Sequence, residues 1–114
     1  MKVIIAGSRD FTDYLKLSQA CDNLLKNQKT IEIVSGKARG ADSLGEKYAK
    51  ERGYKIIEFP PDWSKGKGAG YQRNVEMAQY ADALIAFWDG KSKGTNHMIN
   101  IAKNKGLKIR IIRY

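Results

Sequence analysis

The chain is poor in the residues that cross-link a fold or hold a metal. Its 114 residues include one cysteine, Cys21, one histidine, His97, and two prolines, Pro60 and Pro61. A single cysteine excludes an internal disulfide framework and any multi-cysteine metal site. Ile101 stands four residues after His97, where a second zinc ligand would have to be, so no metal is expected. No apolar run approaches the ~20 residues of a membrane span, and Met1–Ala6 is too short for a signal peptide. No membrane contact is therefore expected, and the cytoplasm is the expected address. Neither G-x-G-x-x-G nor G-x-x-x-x-G-K-[ST] occurs, and no cofactor is expected. Acidic residues are missing from Gly90 to Tyr114, a stretch that carries Lys91, Lys93, Lys103, Lys105, Lys108, Arg110 and Arg113. These account for +7 of a net charge of +9. Such a field attracts phosphates, on a small nucleotide or a nucleic acid, or it only keeps the surface solvated.

What is present reads as one globular domain over residues 1–114. Hydrophobic residues are 42% and charged residues 29%, a balance that sets the chain apart from disordered sequences. Lys2–Ala6, Ile31–Val34, Lys55–Phe59, Ala83–Trp88 and Leu107–Ile112 are short apolar runs bounded by glycine, proline or polar residues, which predicts five strands. Between them the period turns helical. Tyr14, Leu17, Cys21, Leu24, Leu25 and Gln28 mark a first helix with Thr12 as N-cap. Ala41, Leu44, Tyr48 and Ala49 mark a second, closed by Gly53. A third is expected from about Tyr71 to Tyr80 with Val75, Ala78 and Ala81 inward, and a fourth is opened by Thr95.

Strictly alternating strands and helices predict a Rossmann-like α/β domain, a five-stranded, mostly parallel sheet with helices on both faces. The first and fourth strands are the most apolar and belong in the centre, giving the order 3-2-1-4-5. Ligands of such sheets bind beyond the carboxyl ends of the strands, where the order reverses. Three loops then converge: Gly7-Ser8-Arg9, Ser35–Asp42 and Asp89–Thr95. Each has glycine for turning the backbone, hydroxyls in Ser8, Ser35, Ser92 and Thr95, and a helix N-terminus behind it. Arg9 and Arg39 add planar guanidinium forks suited to phosphate. Sharp turns collect glycine and serine for their own sake, so it is the convergence of three such loops that points to an anion site.

The runs Gly7-Ser8-Arg9, Ser35-Gly36-Lys37-Ala38-Arg39-Gly40-Ala41-Asp42, Gly70-Tyr71-Gln72-Arg73-Asn74, Phe87-Trp88-Asp89-Gly90 and Gly94-Thr95 resemble the SLOG superfamily. That group joins the Smf/DprA DNA-processing proteins to the LOG enzymes, and the likeness is to its small, stand-alone bacterial and phage members. The resemblance implies a Rossmann-like fold, frequent homodimers, and a site for nucleotides, nucleotide-derived signals or single-stranded DNA. Tyr71, Met77 and Tyr80, taken as outward positions around Arg73, offer a twofold surface. LOG enzymes cleave the N-glycosidic bond of nucleoside monophosphates. Arg73 and Gly94-Thr95 are similar to their arginine and glycine-threonine turn, but their catalytic glutamate falls on Met98. Glu76, Asp89 or Asp42 would have to replace it, and Glu76 is paired with Arg73 as the candidate catalytic set.

The resulting ligand-binding set is Gly7, Ser8, Arg9, Ser35, Gly36, Arg39, Gly40, Asp42, Arg73, Asn74, Asp89, Gly90, Ser92, Gly94 and Thr95. The expected function is binding of a nucleotide or nucleotide-derived phosphorylated ligand, as a sensor or binding module. A phosphoribohydrolase of LOG type and a single-stranded DNA binder resembling DprA are the alternatives. Three residues keep two readings each. Trp63, beside Lys65-Gly66-Lys67-Gly68, stacks on a base or folds back over the sheet edge. Asp42 caps a helix or bonds a ribose hydroxyl. His97 contacts ligand or sits at the surface near its helix N-terminus.

Overall fold

The computed structural model describes residues 1–114. Its strands are β1 (Lys2–Gly7), β2 (Glu32–Ser35), β3 (Lys55–Glu58), β4 (Ala83–Trp88) and β5 (Lys108–Arg113). Its helices are α1 (Tyr14–Leu25), α2 (Ala41–Arg52), α3 (Ala69–Tyr80) and α4 (Lys93–Asn104), with a short 3-10 turn at Trp63–Lys65. The sheet order is β3-β2-β1-β4-β5, and every neighbouring pair is parallel.

The order follows from how much water each strand can tolerate. Val3, Ile4 and Ile5 of β1 and Leu84, Ala86 and Phe87 of β4 are almost wholly buried, because helices cover both faces of the sheet. β3 and β5 form the edges, and their lysines and arginines stay exposed. The side chains of β1 alternate between two cores. Val3 and Ile5 pack with Leu17 and Cys21 of α1 and Tyr48 and Ala49 of α2. Ile4 and Ala6 pack with Met77 and Ala78 of α3 and Met98, Ile99 and Ala102 of α4. Fully burying one such aliphatic side chain contributes about 1.5–3 kcal/mol, so two continuous cores hold the sheet between its helix layers.

Local details depart from the sequence reading for identifiable reasons. Asp13, not Thr12, caps α1 by accepting from Lys16 N at 3.0 Å, and α1 ends at Leu25, leaving Gln28 outside. Ser92, not Thr95, caps α4, since its Oγ accepts from Thr95 N at 3.4 Å. The phase of α3 is rotated from the expected one: Ala69, Asn74, Met77 and Ala78 are buried and Val75 is only partly so. Asn74 occupies an inward position, and a polar residue there hides the apolar period. Met77 is therefore core, 1% exposed, and not a surface residue. Tyr80 is half-buried, with its hydroxyl donating to Glu32 at 2.6 Å and its ring packed on Phe59. Of the three residues expected to form a twofold surface around Arg73, only Tyr71 is substantially exposed, at 48%.

Candidate functional site

The carboxyl ends of β1, β2 and β4 open onto a cleft of about 270 Å³. The first turns of α3 and α4 form two of its walls, through Gly70, Tyr71, Arg73 and Asn74 and through Gly94 and Thr95. Unpaired N–H groups give such helix starts partial positive charge. Of the residues expected from the sequence, Gly7, Arg9, Asp42, Arg73, Asn74, Ser92, Gly94 and Thr95 line the cleft together. Its charged lining is Arg9, Lys67 and Arg73 against the single carboxylate of Asp42.

Arg73 is held on two sides. Its Nη1 donates to the backbone oxygen of Gly36 in the loop after β2, and its Nε donates to Asn74 Oδ1 at 3.0 Å. Asn74, 5% exposed, extends the chain by donating through Nδ2 to His97 Nδ1 at 3.1 Å and to Gly94 O at 3.4 Å. A line of polar contacts thus ties α3 to both flanking loops beneath the cleft. Gly36 makes the close approach feasible: a Cβ there would lie 2.6 Å from Arg73 Nη1 and 2.9 Å from Asp42 Oδ2. The charged ends of Arg73 and Asp42 therefore flank one α-carbon.

Asp42 is 5% exposed in the first turn of α2 and does not cap it; Gly40 is the N-cap. Its Oδ2 accepts from Ala38 N at 3.3 Å. Burial pushes its carboxyl up to about 6, partly offset by the Arg73 charge and the Ala38 N–H. The same burial disfavours the Arg73 charge, with Asp42 supporting it and Arg9 opposing it. The folded state holds the Asp42 proton more tightly than the unfolded chain, whose aspartates titrate near 3.9. Stability from this group is complete below about pH 4 and is lost as pH rises through 6, on the order of 3 kcal/mol in all. Thermal melts of the native protein and Asp42→Asn between pH 4 and 7 are expected to diverge in that window, with the variant gaining relative stability as pH rises. Parallel curves would show that the buried carboxylate carries no such cost.

The remaining expected residues lie around the cleft rather than in its lining. Ser8 is buried, donating from N to Phe87 O at 3.0 Å and accepting through Oγ from Asp89 N at 3.2 Å, so it laces β1 to β4. Ser35 gives its hydroxyl to Glu46 at 2.6 Å. Asp89 Oδ1 accepts from Lys91 N and Ser92 N, both at 2.8 Å, and these bonds hold its carboxyl below the usual aspartate range. Gly36, Gly40 and Gly90 set loop geometry behind the lining. Arg39 lies in a neighbouring hollow, and Glu76 is exposed on α3, away from the cleft wall. The structure does not bring Glu76 into the cleft lining with Arg73. Met98, 1% exposed, lies in the apolar floor.

Trp63 neither lies flat on the sheet edge nor is lost in solvent. It is 59% exposed, borders the cleft and sits 3.7 Å from where a Gly70 Cβ would project. Lys67, Gly70 and Tyr71 also line the cleft and lie outside the expected set; the glycine- and lysine-rich run Lys65–Gly70 is the signal for them. His97 is half-buried between Asn74 and the Tyr71 ring, 4.4 Å away, and does not line the cleft. Trp88 faces elsewhere, under the Arg113 guanidinium. The seven basic residues of the acid-free segment form no single patch. Lys91 and Lys93 flank the β4–α4 turn, Lys103, Lys105 and Lys108 lie at the opposite end of the sheet, and none lines the cleft.

A doubly wound parallel sheet with an arginine-bearing cleft at its switch point defines a Rossmann-like domain. The family model of YAcAr, the YspA, cpYpsA-related SLOG family, matches residues 1–66, and the chain belongs to that family. It is 34% identical over 116 residues to the Gene 61 protein of Mycobacterium phage D29, covering 95% of this chain and 93% of that one. The fold is similar to that of DNA processing protein A (DprA) from Streptococcus pneumoniae, with a TM-score of 0.78 at 19% identity over 99% of this chain. It also resembles DprA from Helicobacter pylori, with a TM-score of 0.68 at 22% identity over 97% of this chain. The chain spans 50% of the length of the first DprA and 64% of the second.

Proposed function

We propose that the protein binds a phosphorylated nucleotide in the cleft, with the phosphate between Arg73 and the first turn of α4. The observation that carries this reading is Arg73 itself, a guanidinium brought into the cleft wall and fixed by Gly36 O and Asn74. The paired hydroxyls of Ser92 and Thr95, 3.2 Å apart, line the same turn, and the α4 N-terminus supplies backbone donors. Binding of this kind needs no catalytic carboxylate. Met98 is a thioether where an oxocarbenium-like state would require an anion, so nucleoside monophosphates should stay intact.

The test is calorimetry with AMP, followed by chromatography of AMP after overnight incubation. Saturable binding with intact AMP is the expected result. No heat and no thermal shift at millimolar AMP would remove the reading. Release of adenine that Asp42→Asn abolishes would make Asp42, the one carboxylate of the cleft, a catalytic acid.

One observation favours a second reading. The H. pylori DprA structure is described by its single-stranded DNA binding mode, and here a basic hollow carrying Arg9, Lys37 and Arg39 continues from the cleft. Strand binding would release counterions, and log affinity would fall with log salt by about 0.7 per phosphate neutralised. The placing of Lys103, Lys105 and Lys108 at the opposite end of the sheet favours the compact ligand.

A further inference from the structure

The hollow beside the cleft has a composition of its own. It measures about 450 Å³, is lined by Arg9, Lys37, Arg39, Arg73 and Trp63, and has no carboxylate in its wall. Lys37 is already neutralised, its Nζ lying 2.9 Å from both Glu46 and Glu58. Arg9 and Arg39 are different: neither has an acidic partner within 4 Å, and both are exposed. Arg9, Ala38, Arg73 and Trp63 line both the cleft and the hollow, so the two spaces meet at these four residues. An exposed indole where two cationic spaces meet is a stacking surface with a phosphate position on either side.

Resting on the proposed nucleotide reading, we infer that the site takes a nucleoside unit with phosphoryl groups on both its 5′ and its 3′ side. One phosphate occupies the cleft at Arg73, the base stacks on Trp63, and the second phosphate occupies the hollow at Arg39. A 5′-mononucleotide fills only the first position. A nucleoside 3′,5′-bisphosphate and a 5′-phosphorylated dinucleotide share the required chemistry, and the ligand series distinguishes them.

Affinities of AMP, adenosine 3′,5′-bisphosphate and 5′-phosphorylated ApA are compared by calorimetry, with Trp63 fluorescence as a second readout. At least one of the two-phosphate ligands is expected to bind tenfold or more tightly than AMP and to quench fluorescence that Trp63→Phe removes. Arg39→Ala is expected to cut that affinity ratio below threefold. Lys103→Ala, at the far end of the sheet, removes the same charge and should leave the ratio in place. A second phosphate worth less than twofold while AMP binds would overturn the inference and leave the nucleotide reading standing. So would a ratio that Arg39→Ala does not change, or that Lys103→Ala lowers equally. Affinity that keeps climbing with each nucleotide up to a hexamer would replace the two-phosphate site by an open strand track. Absence of binding by all three ligands overturns both readings.

Discussion

Arg73→Ala is expected to weaken AMP binding by about 10- to 150-fold while leaving the fold cooperative. A guanidinium has five N–H donors, and the structure spends two, Nη1 on Gly36 O and Nε on Asn74. The rest remain for a ligand in a cleft whose wall Arg73 forms. Losing a charge-assisted contact costs about 1.5–3 kcal/mol, which is where the expected range comes from. The Arg73 charge opposes the rise that burial imposes on the Asp42 carboxyl, so Arg73→Ala should also make Asp42 hold its proton more tightly. Arg73→Lys restores the charge but not the fork, and should recover at most a tenfold part. Calorimetry on the three proteins, with melting curves as the folding control, decides the matter. AMP binding that survives Arg73→Ala undiminished would reduce Arg73 to a strut between α3 and the β2 loop.

The order of the sheet is legible in the sequence because burial on both faces leaves a plain mark. Val3–Ala6 and Ala83–Phe87 have no charged residue, whereas Lys55–Glu58 and Lys108–Arg113 begin and end on charge, as edge strands do. The cleft is legible only in part. Glycine, serine and arginine announce a loop near phosphate chemistry, but they do not announce which hydroxyl a neighbour consumes. Ser35 looks like Ser92 in sequence, yet its hydroxyl donates a hydrogen bond to Glu46, eleven residues on. The α3 phase is hidden because Asn74 and Met77 share the buried face, and periodicity weighs only the apolar one. Asp42 looks like a capping residue, and only the fold shows that its carboxylate is enclosed beside Arg73. In each case the deciding partner is distant in sequence or hidden by its polarity.

A large loss of stability is expected from Gly40→Ala, because two loops of the site meet at that residue. Gly40 has φ +72 and ψ −124, a conformation closed to side chains with a Cβ. A methyl group there would stand 2.4 Å from Ser8 O and 2.6 Å from the carbonyl carbon and oxygen of Arg9. These are backbone atoms, so the strain cannot be relieved by a rotamer change. Left-handed strain of about 1–3 kcal/mol and overpacking of about 1–3 kcal/mol give a loss of about 2–6 kcal/mol, a large share of the stability of a small domain. Gly53→Ala isolates the first part. Gly53 also has positive φ, +73, but a methyl group there would meet nothing within 4 Å, so the loss should be only about 1–2 kcal/mol. Urea unfolding of both variants reads the difference directly. The same displacement moves Arg9 relative to α2, so Gly40→Ala should also weaken ligand binding in the fraction that remains folded, which Gly53→Ala should not. Equal losses in the two variants would mean that the β1 loop yields to the extra methyl, and that the contact between the loops is not what sets the position of Arg9.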